Sequence, residues 1–227
     1  MSAVNVLVSP QRVVILTDTK AMTEDGVQFH AKKTATFPWA RMAIAVRGYI
    51  AALRVFERII SQNANNYDRA VQFLVEHFDE VLAAEYSDPA EAFAMSRDLD
   101  LYLCGWGMNG PAAVWISNYQ GSRKVERITG CLISPMVGLE SQTAFARDVM
   151  AGMPQLMADQ AATHVAVGGW MQVTEIGENG IHAYTHGNVD ELSEVASRMQ
   201  PSEELEQIAA VEAANAERAE ALAAQAA

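Results

Sequence analysis

The chain predicts an α+β fold, a four-layer αββα sandwich in which two antiparallel sheets pack face to face and helices cover both outer faces. Three observations carry that expectation. Short β-branched runs occur in groups joined by turn signals, and helix-period segments separate the groups. The 227 residues, half of them hydrophobic and 19% charged, suffice for one substantial core and not for two average domains. One domain over residues 1–200 and a separate extension over 201–227 follow.

Taken in order, Val4–Val8 is short, apolar and β-branched, Ser9-Pro10-Gln11 supplies a turn, and Val13–Leu16 is a second such run, which makes a hairpin. Asp25-Gly26 is another turn signal, Val27–Thr36 is mostly polar, and Met42–Val46 is a strand that ends at Gly48, so about four strands precede the first helix. Apolar residues then recur with helical spacing at Ile50, Leu53, Phe56 and Ile60, and again at Ala70, Phe73, Leu74, His77, Phe78 and Leu82. Strands return over 98–106, 112–116 and 124–128. The segment 138–160 is helical, with Phe145, Val149, Met153 and Met157 four apart and a break expected near Gly152 and Pro154. Residues 165–176 and 180–184, separated by Gly177-Glu178-Asn179-Gly180, form a last hairpin. Pro201-Ser202-Glu203-Glu204 opens an alanine-rich helix whose six glutamates against Arg218 give a net charge of −5.

Charge and composition exclude several functions. A net charge of −12 and a pI near 4.8 oppose binding to nucleic acid or to an anionic membrane. No apolar run reaches the roughly 18 residues that span a bilayer, and the first ten residues lack the parts of a signal peptide, so a cytoplasmic protein is expected. Cys104 and Cys131 have no C-x-x-C spacing and read as small buried hydrophobes. His182 and His186 have the spacing H-x-x-x-H without the glutamate of the helical zinc motif, and no helix follows the glycine-rich stretch 105–110. We expect no metal and no cofactor.

The first 48 residues carry a resemblance. The runs 2–8, 13–21, 32–34 and 43–48 (Ser-Ala-Val-Asn-Val-Leu-Val, Val-Val-Ile-Leu-Thr-Asp-Thr-Lys-Ala, Lys-Lys-Thr and Ala-Ile-Ala-Val-Arg-Gly) resemble the amino-terminal part of proteasome β-type subunits and bacterial proteasome-like ring peptidases. These are N-terminal-nucleophile (Ntn) hydrolases, a threonine-type peptidase family. In it the mature first residue is the nucleophile, followed by an aspartate after about sixteen residues, a lysine after about thirty-two and a glycine after about forty-six. Here Asp18, Lys33 and Gly48 lie 16, 31 and 46 residues after Ser2. The element order resembles the same family over most of the chain, and Val167-Gly168-Gly169 matches its late glycine pair.

The chemistry implied by the resemblance is physically coherent. A serine hydroxyl is a weak nucleophile until a base removes its proton, and a free α-amine with a pKa near 8 on the same residue is close and basic enough to do so. Ser2 qualifies once Met1 is removed. A lysine beside the hydroxyl lowers its pKa, an aspartate fixes the lysine, and a glycine N–H receives the oxyanion without obstruction by a side chain. Lys33, Asp18 and Gly48 take those parts, although Lys32 is one residue from the same register.

The sequence also departs from the family. Serine replaces threonine as nucleophile. His164 and Val167 stand where an aspartate and a serine support the terminal amine, Ser134 is followed by Pro135 where glycine is usual, and Lys20 replaces an arginine. The expected function is hydrolysis of peptide or small amide bonds by a homo-oligomer, for which the resemblance implies a ring. The alternative is a catalytically silent proteasome-like scaffold or assembly protein with Met1 retained.

Overall fold

The computed structural model describes residues 3–23, 25–85, 99–119 and 122–192, so the extension 201–227 and its boundary with the domain lie outside the described residues. Strands β1 (Val4–Val8) and β2 (Arg12–Asp18) form the expected hairpin, paired from Val4 with Thr17 to Val8 with Val13. The first sheet has the order β10-β1-β2-β11-β12, completed by β10 (Cys131–Ser134), β11 (Trp170–Gly177) and β12 (Gly180–Asn188). A second sheet runs β5 (Thr34–Phe37), β6 (Met42–Arg47), β7 (Asp100–Gly107), β8 (Gly110–Tyr119) and β9 (Ser122–Ile128), all antiparallel.

Period-two alternation assigns the two faces of each strand. Val13 and Ile15 of β2 enter the layer between the sheets with Val4 and Val6, opposite Ala43, Ala45, Tyr102 and Cys104. Val14 and Leu16 face outward, under Phe145, Met153, Leu156 and Met157 of helices α3 (Leu139–Arg147) and α4 (Val149–Thr163). Helices α1 (Ala52–Asn63) and α2 (Tyr67–Glu85) cover the second sheet, with Phe56 and Phe78 stacked at 5.3 Å between centroids. The four layers are those the element order predicts.

Several expectations need correction. Six strands, not four, precede α1, because β3 (Lys20–Met22) and β4 (Gln28–His30) form a small ribbon of their own. All of β4 is exposed, so it carries no hydrophobic alternation to read. The strand β10 is short and lies at a sheet edge, with only Ile133 buried. The break in the long helical segment falls at Asp148, whose extended backbone ends α3 and whose carboxylate accepts from the N–H groups of Met150 and Ala151 to cap α4. Gly152 lies inside α4 for a different reason: a Cβ there would sit 2.4 Å from the Phe145 backbone nitrogen, so glycine lets the two helices meet. His77 is half-buried at the border of the apolar stripe of α2, its ring 4.9 Å from that of Phe73 and its Nδ1 2.8 Å from Glu80. Gly105 and Gly107 make room for the side chains of Tyr67 and Asp68 against β7.

Candidate active site

One end of the sandwich collects the start of β1, the end of β2, the residue before β5, the residue after β6 and the turn leading into β11. There Asp18 and Lys33, both 0% exposed, form an ion pair with Lys33 Nζ 2.6 Å from Asp18 Oδ1. Asp18 Oδ1 also accepts from the Ala3 N–H at 2.8 Å, and Oδ2 accepts from the Gly168 N–H at 3.1 Å. The ammonium donates a second hydrogen bond to the Lys20 carbonyl at 2.5 Å. It carries three N–H bonds, and the third has no acceptor among the described residues.

Two opposed influences act on this pair. Burial, the larger one, lowers the Lys33 pKa, while the charge and hydrogen bond of Asp18 raise it. Burial likewise raises the Asp18 pKa against the lowering effect of Lys33 and of the two backbone donors. Burial outweighs pairing for both, since neither side chain reaches water. A lysine so placed holds its proton less firmly than one on the surface.

Lys32 is exposed, so the buried lysine of the tandem is Lys33. Gly48 follows β6 with φ of 103°, a conformation that favours glycine, at the point where the chain turns into α1. Ser2, one peptide bond before Ala3, lies outside the described residues. The structure thus brings together Asp18, Lys33 and the backbone next to Ser2.

Some supporting contacts were not assigned from the sequence. Gly168 supplies a backbone donor to Asp18, and a Cβ on it would lie 2.4 Å from Asp190 Oδ1; Gly169 has φ of 73°. The glycine pair itself was the signal, since close approach and positive φ are what glycines permit. Thr19 Oγ1 accepts from the Trp170 N–H at 2.9 Å and lies 3.0 Å from His30 Nδ1, which ties the β3–β4 ribbon to β11; an ordinary turn threonine gives no such hint in sequence. The His164 carbonyl accepts from the Val167 N–H, Val167 is in the core under α4, and Ser134 donates its N–H to Asn5. Among the described residues no group of three or more His, Cys, Asp or Glu side chains is placed to hold a metal ion.

No protein-family model and no curated protein matches the chain. Solved structures do. Anbu from Pseudomonas aeruginosa, described as a helical assembly of the Anbu complex, superposes with a TM-score of 0.67 at 16% identity over 91% of this chain and 95% of its own. Anbu from Yersinia bercovieri, described as an ancestral β-subunit, gives 0.63 at 13% identity over 92% and 97%. A mutant of Anbu from Hyphomicrobium sp. strain MC1 gives 0.61 at 12% identity over 92% and 98%. The chain therefore has the fold of these Anbu structures, a proteasome-like fold, over most of its length. No helix among the described residues is long and apolar enough to cross a membrane.

Proposed function

We propose that the chain is an amide-bond hydrolase of the N-terminal-nucleophile type, acting on peptide or small amide bonds through Ser2 after removal of Met1. The observation that carries this reading is the buried Asp18–Lys33 pair, one of whose ammonium protons has no described acceptor, beside the amide that follows Ser2. The freed α-amine takes the Ser2 hydroxyl proton, and Lys33 stabilises the oxygen left behind. That oxygen attacks the substrate carbonyl, and the Gly48 N–H receives the resulting oxyanion. The amine returns its proton to the leaving nitrogen as the C–N bond breaks. Water then hydrolyses the Ser2 ester, with the same amine as base. No metal or cofactor enters these steps.

We further propose a homo-oligomer, ring-shaped or helical, in keeping with the assembly described for Anbu from Pseudomonas aeruginosa. Both cysteines are free, which suits the reducing cytoplasm. One observation favours the second reading, a silent scaffold: the positions matching the family's amine-supporting aspartate and serine are His164 and Val167. Intact mass separates the readings first. Loss of one methionine residue exposes Ser2, whereas retained Met1 blocks the amine and leaves the scaffold. In the processed protein Ser2→Ala is expected to abolish hydrolysis with an unchanged melting temperature. Undiminished activity in that variant would remove Ser2 from the mechanism.

A further inference from the structure

A cleft of about 450 Å³ opens between the segment 30–34, in which Lys33 itself points away into the interior, and the first turns of α1. Lys32 and Thr34, the two neighbours of Lys33, line it, and Ile50, two residues beyond Gly48, lines its other side. Ile50 and Leu53 provide an apolar wall. The charged groups on it are Lys32, Arg54 and Glu57, together with the ring of His30.

Lys32 and Arg54 are exposed, and among the described residues neither is within ion-pairing distance of a carboxylate, Glu57 included. Two cations on one cleft with no ion-pair partner among the described residues stand out in a chain of net charge −12, where acids outnumber bases 28 to 16. His30 is tethered through Nδ1 to Thr19, and Nε2 has no partner among the described residues. Three nitrogen-bearing side chains and one acid therefore border a recess whose apolar wall can receive a short aliphatic stem.

We infer that this cleft takes an acidic side chain next to the attacked carbonyl, so that the favoured substrates are amides at Glu or Asp residues. This rests on the amidase reading above. A substrate with its carbonyl at the Gly48 N–H runs past Ile50, and its neighbouring side chain meets Lys32 and Arg54. Opposite charge attracts such a side chain, and a basic one is repelled.

The test separates binding from turnover. The peptide amide acetyl-Ala-Ala-Glu-NH2 and its Gln, Leu and Lys counterparts are titrated by NMR into full-length Ser2→Ala protein, and the same peptides are offered to the active form. The Glu peptide is expected to bind at least about fivefold more tightly than the Gln peptide, and Lys32→Glu combined with Arg54→Glu is expected to reverse the order in favour of Lys. A gain of Lys binding cannot come from misfolding. Equal binding of Glu and Gln, no binding of any peptide, or an order unchanged by the charge reversal overturns the inference. A retained Glu preference with no hydrolysis and no acylated Ser2 upholds the cleft assignment and overturns the amidase reading instead.

Discussion

Asn5 and Gln160 form, between β1 and α4, a buried pair of amides that satisfy each other, whereas Asp18 and Lys33, beside the start of the same strand, form a buried pair of opposite charges. Each amide NH2 donates to the other's oxygen at 2.9 Å; Gln160 also donates to the Pro135 carbonyl at 2.7 Å, and Asn5 accepts from the Ser134 N–H at 3.2 Å. Both amide side chains are 0% exposed. A neutral cluster of this kind needs only its partners to be nearly cost-free. The ion pair is different. Desolvation costs several kcal/mol per ion even after relaxation, a cost that an apolar pair of similar volume avoids. On the proposed mechanism the first site keeps an ammonium for chemistry, whereas the second fastens helix to strand.

The largest effect that can break this contrast is expected from Lys33→Met. It leaves the Asp18 carboxylate buried without its counter-ion and should cost about 3–5 kcal/mol in denaturant unfolding. Adding Asp18→Asn should restore most of that stability, because the cavity then holds no net charge. Hydrolysis should stay at least about 10²-fold down in both variants. Recovery of activity in the neutral double variant would show that the ion pair is a fastening like the amides.

Gln160→Leu is next in size. It strands the Asn5 amide and the Pro135 carbonyl and should cost about 1–3 kcal/mol, with kcat per folded molecule unchanged. A selective fall in kcat would erase the distinction between the two clusters.

Asp18→Asn alone sharpens the contrast through pH. It removes the charge that raises the Lys33 pKa, the larger of the two influences of Asp18, and leaves burial, which lowers it, so the folded-state value moves further below 10.5. Between that value and 10.5 the unfolded chain holds a proton that the folded chain lacks. Stability must therefore rise with pH through that window, by at most about 1.4 kcal/mol per pH unit, and the window must reach lower pH than in the parent. Urea midpoints measured from pH 7 to 10 test it; parallel curves for parent and variant would mean that Asp18 does not govern Lys33. The smallest effect belongs to Lys32→Ala, which should change stability by no more than about 0.5 kcal/mol because Lys32 is exposed. A loss comparable to that of Lys33→Met would reverse the assignment of the two lysines.

Much of the fold was legible in the linear pattern. Val13–Leu16, Met42–Val46 and the stripes through Phe56 and Phe78 bury their apolar residues as the periodicity requires. Exposed or edge elements were not legible. β4 has no buried residue and β10 only one, so neither needs a hydrophobic signature. The helix break was misplaced because Gly152 and Pro154 suggested it, while the N-cap of Asp148 made it. Of the candidate site, the resemblance to proteasome β-type subunits picked out Asp18, Lys33 and Gly48, and the structure brings the first two into contact, with the amide of the residue after Ser2 on Asp18.

By itself, the sequence determined what is local: the alternation that makes strands, the 3.6-residue stripe that makes helices, the acidic balance and the lysine tandem near residue 33. Only the tertiary structure decided which lysine goes inside, which backbone amides hold Asp18, and that Lys32 and Arg54 border one cleft. The reason is physical. Periodicity records which face of an element is apolar, but the burial of a charge depends on partners as distant in sequence as Ala3, Lys20 and Gly168, which the pairing of the first sheet gathers around Asp18 and which Lys33, entering from the second sheet, then joins.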